Sequence, residues 1–307
     1  MVNKTFYFKD SDGVNIFVYK WMPEGDIKGV IQIAHGMAET AARYERFAEF
    51  LTKNGYVVFA NDHRGHGKTA GSVEKLGYIA DEDGFNWMVK DMHELNCIIR
   101  DEYKNMPVFL FGHSMGSFLS QRYIQLYGKD LTGVILSGTN GKQGPIIDLG
   151  IFVASIEIKK HGRKEKSELL NNMSFGSYNK AFKPCRTDFD WLNRDEAEVD
   201  KYIKDPYCGT VFTTSFYYDL LRALKDMYRH KNINAIPKEL PIYIMAGTMD
   251  PVGNKGKGVI KLYNMYKSLN IKDVKYKLYK DGRHEILNEI NKDEVMTDIG
   301  TWLNNHM

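Results

Sequence analysis

The sequence predicts an α/β fold, a mostly parallel sheet covered by helices on both faces. Short apolar runs that suit buried strands alternate along the chain with longer segments whose apolar residues recur at helical spacing. This alternation is typical of parallel sheets, in which a covering helix joins one strand to the next. The chain has 307 residues, 43% of them hydrophobic and 13% aromatic, so it can bury a large core.

The chain begins with a predicted antiparallel hairpin. Residues 4–10 and 15–21 alternate between polar and apolar, and Ser11-Asp12-Gly13 supplies the turn. The next strand, 30–34, is apolar enough for a central position in the sheet. The later predicted elements are, in order, a helix at 44–54, a strand at 57–60, a long amphipathic helix at 83–103, a strand at 108–112 with a helix from 115, strands at 132–137 and 241–247, a helix at 256–269, a strand at 274–280 and a helix at 293–305.

A nucleophile motif lies between the strand at 108–112 and the helix that follows it. Gly112-His113-Ser114-Met115-Gly116 reads G-x-S-x-G, and a strand-to-helix turn is the context in which this motif carries a catalytic serine. The turn is so tight that the residues two before and two after Ser114 must be nearly free of side chain. The alternative is a glycine-rich turn that only lets the helix and the strand pack closely.

A nucleophilic serine needs a general base, and the base needs a carboxylate that orients it. Asp250 follows the strand at 241–247 and His284 follows the strand at 274–280, so each lies just past the carboxyl end of a predicted strand. In an open parallel sheet, ligands bind at this edge. Taken singly, Asp250 is compatible with a helix cap and His284 with a surface loop. Three such residues in the order Ser114, Asp250, His284 predict a catalytic triad instead.

Four segments together carry a resemblance to a known family. They are residues 33–51, 55–69, 111–117, and 246–252 taken with 281–289. The sequence resembles the α/β-hydrolase superfamily, specifically its monoacylglycerol lipase and bacterial lysophospholipase branch of serine aminopeptidase S33-like hydrolases. The resemblance implies an α/β-hydrolase fold, with a mostly parallel eight-stranded sheet flanked by helices, in a single domain spanning 1–307. It also implies a helical cap inserted at about 140–236.

The resemblance also assigns residues around the nucleophile. Acyl transfer requires fixed backbone N–H groups that stabilise an oxyanion, and these are expected from Met115, after the nucleophile, and from Met37, in the loop after the third strand. Glu39 and Arg43 stand where monoacylglycerol lipases place groups near the polar head of the substrate. Their alternatives are a helix N-terminal Glu and a surface Arg. Animal monoacylglycerol lipases have a His where this chain has Leu287, which puts glycerol-specific recognition in doubt.

Residues from about 140 to 236 break the alternation of strands and helices. Residues 144–160 form an apolar stretch that runs into the basic segment 161–166, and 210–228 form an aromatic-rich amphipathic helix. Most of these apolar side chains are expected to pack the cap on the core, and some to line a pocket. An apolar helix beside basic residues fits a cap in transient contact with a membrane or micelle surface. A solvated basic face explains the charges equally well.

Composition excludes several classes of function. With 42 basic and 39 acidic residues the formal charge is +3, which gives no case for a nucleic-acid partner. Cys97, Cys185 and Cys208 are odd in number and widely spaced, and they suit a reducing interior rather than disulfides or metal. His63 and His66 lack a third ligand in a recognisable pattern, so no metal and no cofactor is expected. No signal segment or membrane span is recognised, and the expected location is cytoplasmic, with membrane contact at most peripheral.

The sequence therefore predicts a serine hydrolase that cleaves carboxylic esters of single-chain lipids, monoacylglycerols or lysophospholipids, through an acyl-enzyme. Two alternatives on the same core are a small-ester carboxylesterase and an aminopeptidase. The aminopeptidase would need an acidic patch for the substrate amine, and 165–196 contains several acidic residues that could form one. A more remote alternative is a non-catalytic ligand-binding protein on a hydrolase scaffold, although such proteins typically lose a member of the triad.

Overall fold

Eight strands form a single sheet in the computed structural model, which describes all residues from 1 to 307. In chain order the strands are β1 (Val2–Lys9), β2 (Asn15–Met22), β3 (Gly29–Ala34), β4 (Tyr56–Asn61), β5 (Val108–His113), β6 (Gly133–Ser137), β7 (Ile242–Gly247) and β8 (Val274–Tyr279). Across the sheet their order is β1-β2-β4-β3-β5-β6-β7-β8. Both pairings of β2 are antiparallel and all the others are parallel. This confirms the mostly parallel eight-stranded sheet, and the predicted N-terminal hairpin is its edge.

Helices cover the sheet on both faces, and further helices lie in the insertion between β6 and β7. They are α1 (Glu45–Lys53), α2 (Gly84–Glu102), α3 (Met115–Tyr127), α4 (Ile146–His161), α5 (Glu168–Phe175), α6 (Glu196–Lys204), α7 (Thr214–Asp226), α8 (His230–Asn234), α9 (Lys257–Ser268) and α10 (Lys292–Asn304). The two main apolar clusters hold 41 and 24 buried residues, and β3 to β7 are buried along their whole length. Central strands with both faces covered explain why these runs are apolar throughout instead of alternating.

Between β6 and β7 the chain forms helices α4 to α8 and no strand of the sheet. We refer to residues 140–236, which carry these helices, as the cap. Its two longest helices, α4 and α7, pack on each other, and α7 also packs on α2 of the core. The sequence predicted α7 as an amphipathic helix and α4 as an apolar one, whereas it did not predict α5 and α6. The sequence signal for these two was an N-cap residue, because Ser167 accepts a hydrogen bond from the Leu170 N–H and Asp195 accepts one from the Ala197 N–H.

No helix of the chain combines the length and the hydropathy that crossing a bilayer requires.

Candidate active site

Ser114 occupies the turn between β5 and α3 with φ 52° and ψ −119°. A non-glycine residue at positive φ is strained, and such strain persists only where the surrounding structure enforces it. Here the enforcement is steric. A Cβ atom at Gly112 would collide with the Ser120 hydroxyl, and one at Gly116 would collide with the backbone carbonyl of Ala34. The turn therefore needs both glycines, for the reason that the sequence suggested.

Asp250 and His284 meet at the same edge of the sheet. Asp250 follows β7 and His284 follows β8, and Nδ1 of His284 lies 3.0 Å from Oδ1 of Asp250. Both side chains are buried, with 0% and 2% of their surface exposed. An ionised carboxylate can only accept, so Nδ1 of His284 carries the proton and Nε2 is left free to accept one. That tautomer is the one a general base requires.

The surroundings of His284 raise its pKa above 6.5. Burial alone would lower this pKa, but the charge of Asp250 and its hydrogen bond outweigh burial, with smaller contributions from Glu285 and Glu39. His113 lies beside it, with the two rings 4.7 Å apart, and responds oppositely. Burial and the neighbouring His284 lower the pKa of His113 to about 4. Of the two adjacent imidazoles, only His284 is placed to take and hold a proton near neutral pH.

A cavity of about 720 Å³ opens above this edge, within the size range of small-molecule sites. Ser114 and His284 both line it, as do the two residues expected to form the oxyanion site, Met37 and Met115. The Ser114 hydroxyl is not hydrogen-bonded to His284 in this structure. Such hydrogen bonds are often long before substrate binds and tighten in the complex, so the arrangement remains suited to catalysis.

The loop that carries Met37 is fixed on both sides. The Gly36 N–H donates to Oε1 of Glu39 at 2.6 Å, which closes the loop on itself. The carbonyl of Ala38 accepts from the Gly209 N–H and from the Tyr202 hydroxyl, each at 2.9 Å, so the cap also holds the loop. Met115 is the first residue of α3, where the helix dipole favours negative charge. Rigid donors of this kind need no reorganisation when an oxyanion forms.

Glu39 and Arg43 belong to a buried ion cluster. Arg43 donates to Oε2 of Glu39 at 2.6 Å and to both carboxylate oxygens of Glu285 at 2.6 and 2.8 Å. Glu39 and Glu285 line the large cavity, whereas Arg43 lies behind them, against a small pocket of about 20 Å³ that Leu287 also lines. Arg43 can therefore act on a ligand in the large cavity only through the two carboxylates that it holds. Sequence reasoning missed Glu285, because its pairing with Arg43 joins positions 242 residues apart.

The cap is tied to the loop that carries His284. The Glu285 N–H donates to the carbonyl of Leu192 at 2.8 Å, and the Arg283 guanidinium donates to the carbonyls of Asp190 and Asn193. These bonds hold the cap segment that contains Trp191 next to this loop, and the Trp191 ring packs on the imidazole of His284. No local sequence pattern predicts the contact between Trp191 and His284.

The cavity wall contains acidic side chains but no lysine or arginine. Of its 37 lining residues 19 are hydrophobic, and none is Lys or Arg. Its acidic side chains are Glu39 and Glu285, which are buried beside the triad residues and paired with Arg43, and Glu168 and Asp188, which are exposed. The cavity therefore offers no lysine or arginine side chain to pair with a negatively charged ligand.

His63 and His66, which lack a third ligand in the sequence, pack with His35 in the core. The ring of His35 lies 4.3 Å from that of His63 and 5.0 Å from that of His66. Burial lowers the pKa of His35 to about 4 and that of His66 to about 3, so these rings are neutral. No group of three or more His, Cys, Asp or Glu side chains in the structure could hold a metal ion.

Comparisons with known proteins agree on one family. The sequence matches the family described as "Serine aminopeptidase, S33" over residues 25–291. A monoglyceride lipase from Rattus norvegicus is 29% identical over 302 residues, which cover 97% of this chain and 89% of the rat protein. A monoacylglycerol lipase from Mycolicibacterium smegmatis is 27% identical over 98% of this chain and 96% of its own length.

Solved structures share the fold of this chain. A highly thermostable carboxyl esterase from Bacillus coagulans, in complex with glycerol, matches with a TM-score of 0.92 at 29% identity, covering 99% of both chains. A soluble variant of monoglyceride lipase from Saccharomyces cerevisiae matches with a TM-score of 0.78 at 22% identity, over all of this chain and 96% of its own, and shares the fold.

Proposed function

The chain belongs to the serine aminopeptidase S33 family of α/β-hydrolases and is an ester hydrolase, and we propose that it cleaves single-chain lipid esters with an uncharged head group. In this proposal residues 1–307 form one hydrolase domain, with the cap roofing the active site. Monoacylglycerols are then preferred over lysophospholipids.

The proposed mechanism assigns each triad residue one role. Ser114 attacks the ester carbonyl while Nε2 of His284 takes its proton, and Asp250 holds the imidazole in the required tautomer. The backbone N–H groups of Met37 and Met115 stabilise the oxyanion. His284 then protonates the leaving alcohol, and a water activated by the same imidazole releases the fatty acid from the acyl-enzyme. The support is geometric: the 3.0 Å bond between His284 and Asp250 and the convergence of Ser114 and His284 on one cavity.

The observation that carries the substrate class is the lining of that cavity. Roughly half of the lining is hydrophobic, which suits an acyl chain, and the absence of Lys and Arg leaves nothing to pair with a phosphate. Lysophospholipids carry such a phosphate, whereas a monoacylglycerol carries only hydroxyl groups. Relatives named monoglyceride lipase and monoacylglycerol lipase agree with this choice.

We assign the head group to the side of the cavity lined by Glu39. Glu39 lines the cavity, and a glycerol hydroxyl is a suitable donor to its carboxylate. Arg43 contributes by holding Glu39 and Glu285 in place, not by touching the ligand. Leu287, where animal monoacylglycerol lipases have a His, lines the small pocket behind this cluster, so any recognition by that His is absent here.

The experiment is a hydrolysis panel with the Ser114→Ala variant. The substrates are monoacylglycerols of several chain lengths, lysophosphatidylcholine, lysophosphatidylglycerol, a short nitrophenyl ester and an aminoacyl amide. The matched control is Ser268→Ala, which removes an exposed hydroxyl on α9. We expect monoacylglycerol to be cleaved fastest, Ser114→Ala to be inactive and the control to be unaffected. Wild-type turnover by Ser114→Ala would overturn the mechanism, and faster cleavage of lysophosphatidylglycerol would overturn the substrate class.

The aminoacyl amide in the panel tests the aminopeptidase alternative. One observation about the cavity lining supports this test. Of the acidic residues in 165–196, Glu168 and Asp188 line the cavity together with Glu39 and Glu285. Four carboxylates could also receive a substrate amine. Cleavage of the amide alone would select that alternative and leave the triad in place.

We also propose that the enzyme acts in the cytoplasm and touches lipid surfaces transiently through the cap. On α4, Ile146, Leu149 and Phe152 are exposed by 70%, 52% and 61%. Ile146 also lines the cavity, so this apolar face borders the substrate entrance, and the exposed Lys159 and Lys160 end the same helix. An apolar face with adjacent cations suits an anionic lipid surface. The three unpaired cysteines suit a reducing compartment.

A further inference from the structure

A second cleft, of about 460 Å³, lies on the face of α7 that points away from the cavity. The cavity is lined by Tyr217, Leu220, Leu221 and Leu224 of this helix, and the second cleft by Tyr218, Asp219, Arg222, Ala223 and Asp226. The opposite wall belongs to the core, with Asn86 from α2 and Arg122 from α3. Only three of its 14 lining residues are hydrophobic, so the cleft suits a polar ligand held between cap and core.

Arg122 is the cation in this wall that has no counter-charge. It is half-buried, and its guanidinium donates to the amide oxygens of Gln125 at 3.0 Å and of Asn86 at 3.4 Å, both of which are neutral. Burial lowers the pKa of Arg122, because the nearby acids Asp83 and Asp226 do not offset the loss of water around the charge. A guanidinium in that position is stabilised by an anion.

Most acids of the cleft are already engaged. Asp219 accepts from the Gly84 N–H at the start of α2 at 2.8 Å, Asp226 pairs with Arg229 at 2.8 Å, and Glu82 lies 3.4 Å from Arg163. Asp83 accepts only from the Asn86 amide. Two further cations that line the cleft, Arg222 and Lys231, form no ion pair, although Arg222 stacks on Tyr218. Three unpaired cations thus face two carboxylates, Asp83 and Asp219, that have no cationic partner.

We propose that this cleft binds a small anion of the phosphate class, held by Arg122 in the wall and by Arg222 and Lys231 at the rim. The planar guanidinium of arginine matches the oxygens of a phosphate, and a half-buried arginine gives more affinity than one in water. The anion contacts both α3 and α7. It therefore favours the state in which the cap is docked on the core, since a ligand stabilises the state that it binds.

The test is isothermal titration calorimetry on the full chain with inorganic phosphate and, separately, with glycerol 3-phosphate. Ionic strength is held constant with chloride. The variant Arg122→Gln removes the charge. Arg222→Gln does the same at an exposed position, where we expect the fold to be kept, and Lys275→Gln is an exposed control on β8. Each cleft variant is expected to weaken binding by about tenfold or more, and the control to leave it unchanged.

Tighter binding of glycerol 3-phosphate than of inorganic phosphate would identify a phosphate monoester as the ligand, and the reverse order would identify the free ion. No saturable binding of either, or equal binding by both cleft variants and the control, would overturn the proposal. Hydrogen exchange tests the tie between cap and core. Saturating phosphate should slow hydrogen exchange in residues 214–226 of the wild type. Unchanged exchange in the phosphate-bound protein would refute the claim that the anion favours the docked cap.

Discussion

The indole of Trp191 packs against the imidazole of His284, with ring centroids 5.1 Å apart and planes inclined by 38°. Trp191 comes from the cap and His284 from the loop after β8, so the cap supplies one wall around the proposed base. Phe175 and Tyr178 pack against the other parts of the indole and fix its position. We therefore expect Trp191 to be a positioning residue, which acts on the reaction through the orientation and desolvation of His284.

Replacing Trp191 tests this role. We expect Trp191→Ala to lower kcat on a short nitrophenyl ester by about 10- to 100-fold, because a small displacement of the base misaligns proton transfer. Burial opposes the rise in the pKa of His284 that Asp250 causes. Removing the indole would expose the imidazole, so this pKa should rise further and the acid limb of the rate profile should move to higher pH. Trp191→Phe, which keeps a ring against the imidazole, should retain most of the rate. A purely structural role would leave the pH profile of Trp191→Ala unchanged.

Asp250→Asn tests the electrostatics of the triad. Activity requires neutral His284, so the wild-type rate should fall as the pH drops through a His284 pKa that lies above 6.5. Removing the Asp250 charge removes the main influence that raises this pKa and leaves burial, so the acid limb should move to lower pH. A loss in kcat of about 10⁴-fold is expected, the size seen when an asparagine replaces a triad aspartate in a serine protease.

The measurement is kcat/KM between pH 5 and 9 on the short ester. Asp281→Asn is the matched control, since Asp281 is exposed and adopts a positive φ that asparagine tolerates well. An acid limb that stays in place in Asp250→Asn would show that Asp250 does not set the pKa of His284.

Local pattern was enough to predict the sheet and the position of the triad residues in it. Apolar runs of strand length, and glycines forced by the contacts around Ser114, are properties of a few adjacent residues. Since the carboxyl ends of parallel strands share one edge, placing Asp250 and His284 after β7 and β8 brought them together without any knowledge of side-chain packing.

The supporting shell of the site could not be predicted in that way. Trp191 touches His284 because Arg283 binds backbone carbonyls of the cap, and Arg283 and Asp190 are 93 positions apart in the sequence. Arg43 was expected beside the substrate, whereas it lies behind two carboxylates, one of which comes from the opposite end of the chain. Such contacts depend on how the cap docks, which no local periodicity encodes.

Glu285→Gln tests the buried ion cluster. Burial by itself would raise the pKa of Glu285, but the charge and hydrogen bonds of Arg43 hold it at about 2. A carboxyl with a lowered folded-state pKa stabilises the protein above its unfolded pKa, near 4.5, and this stability is lost as the pH falls towards 2. The variant should lose on the order of 3 kcal/mol of unfolding free energy at pH 7.

Urea denaturation at pH 7 and at pH 3 measures the effect. The difference between wild type and Glu285→Gln should shrink at the lower pH. Glu239→Gln breaks an exposed pair with Lys272 and should cost less than about 1 kcal/mol at either pH. A cost of Glu285→Gln that is independent of pH would mean that lost packing, not charge, explains the destabilisation.

Phe152→Glu tests the proposed contact between the cap and lipid. Phe152 is 61% exposed on α4, and inserting its side chain into a lipid surface would contribute about 1.5–3 kcal/mol, so its loss should weaken binding to vesicles about tenfold or more. The added negative charge should enhance the effect on vesicles that contain anionic lipid. Hydrolysis of monoacylglycerol presented in such vesicles should fall in parallel with binding, whereas turnover of a soluble nitrophenyl ester should stay at the wild-type value.

Val73→Glu places the same charge at an apolar residue that is 40% exposed and lies outside the cap, so it should change neither reaction. Equal vesicle binding by Phe152→Glu and Val73→Glu would assign the apolar face of α4 another role, because a lipid contact through the cap requires the two positions to differ.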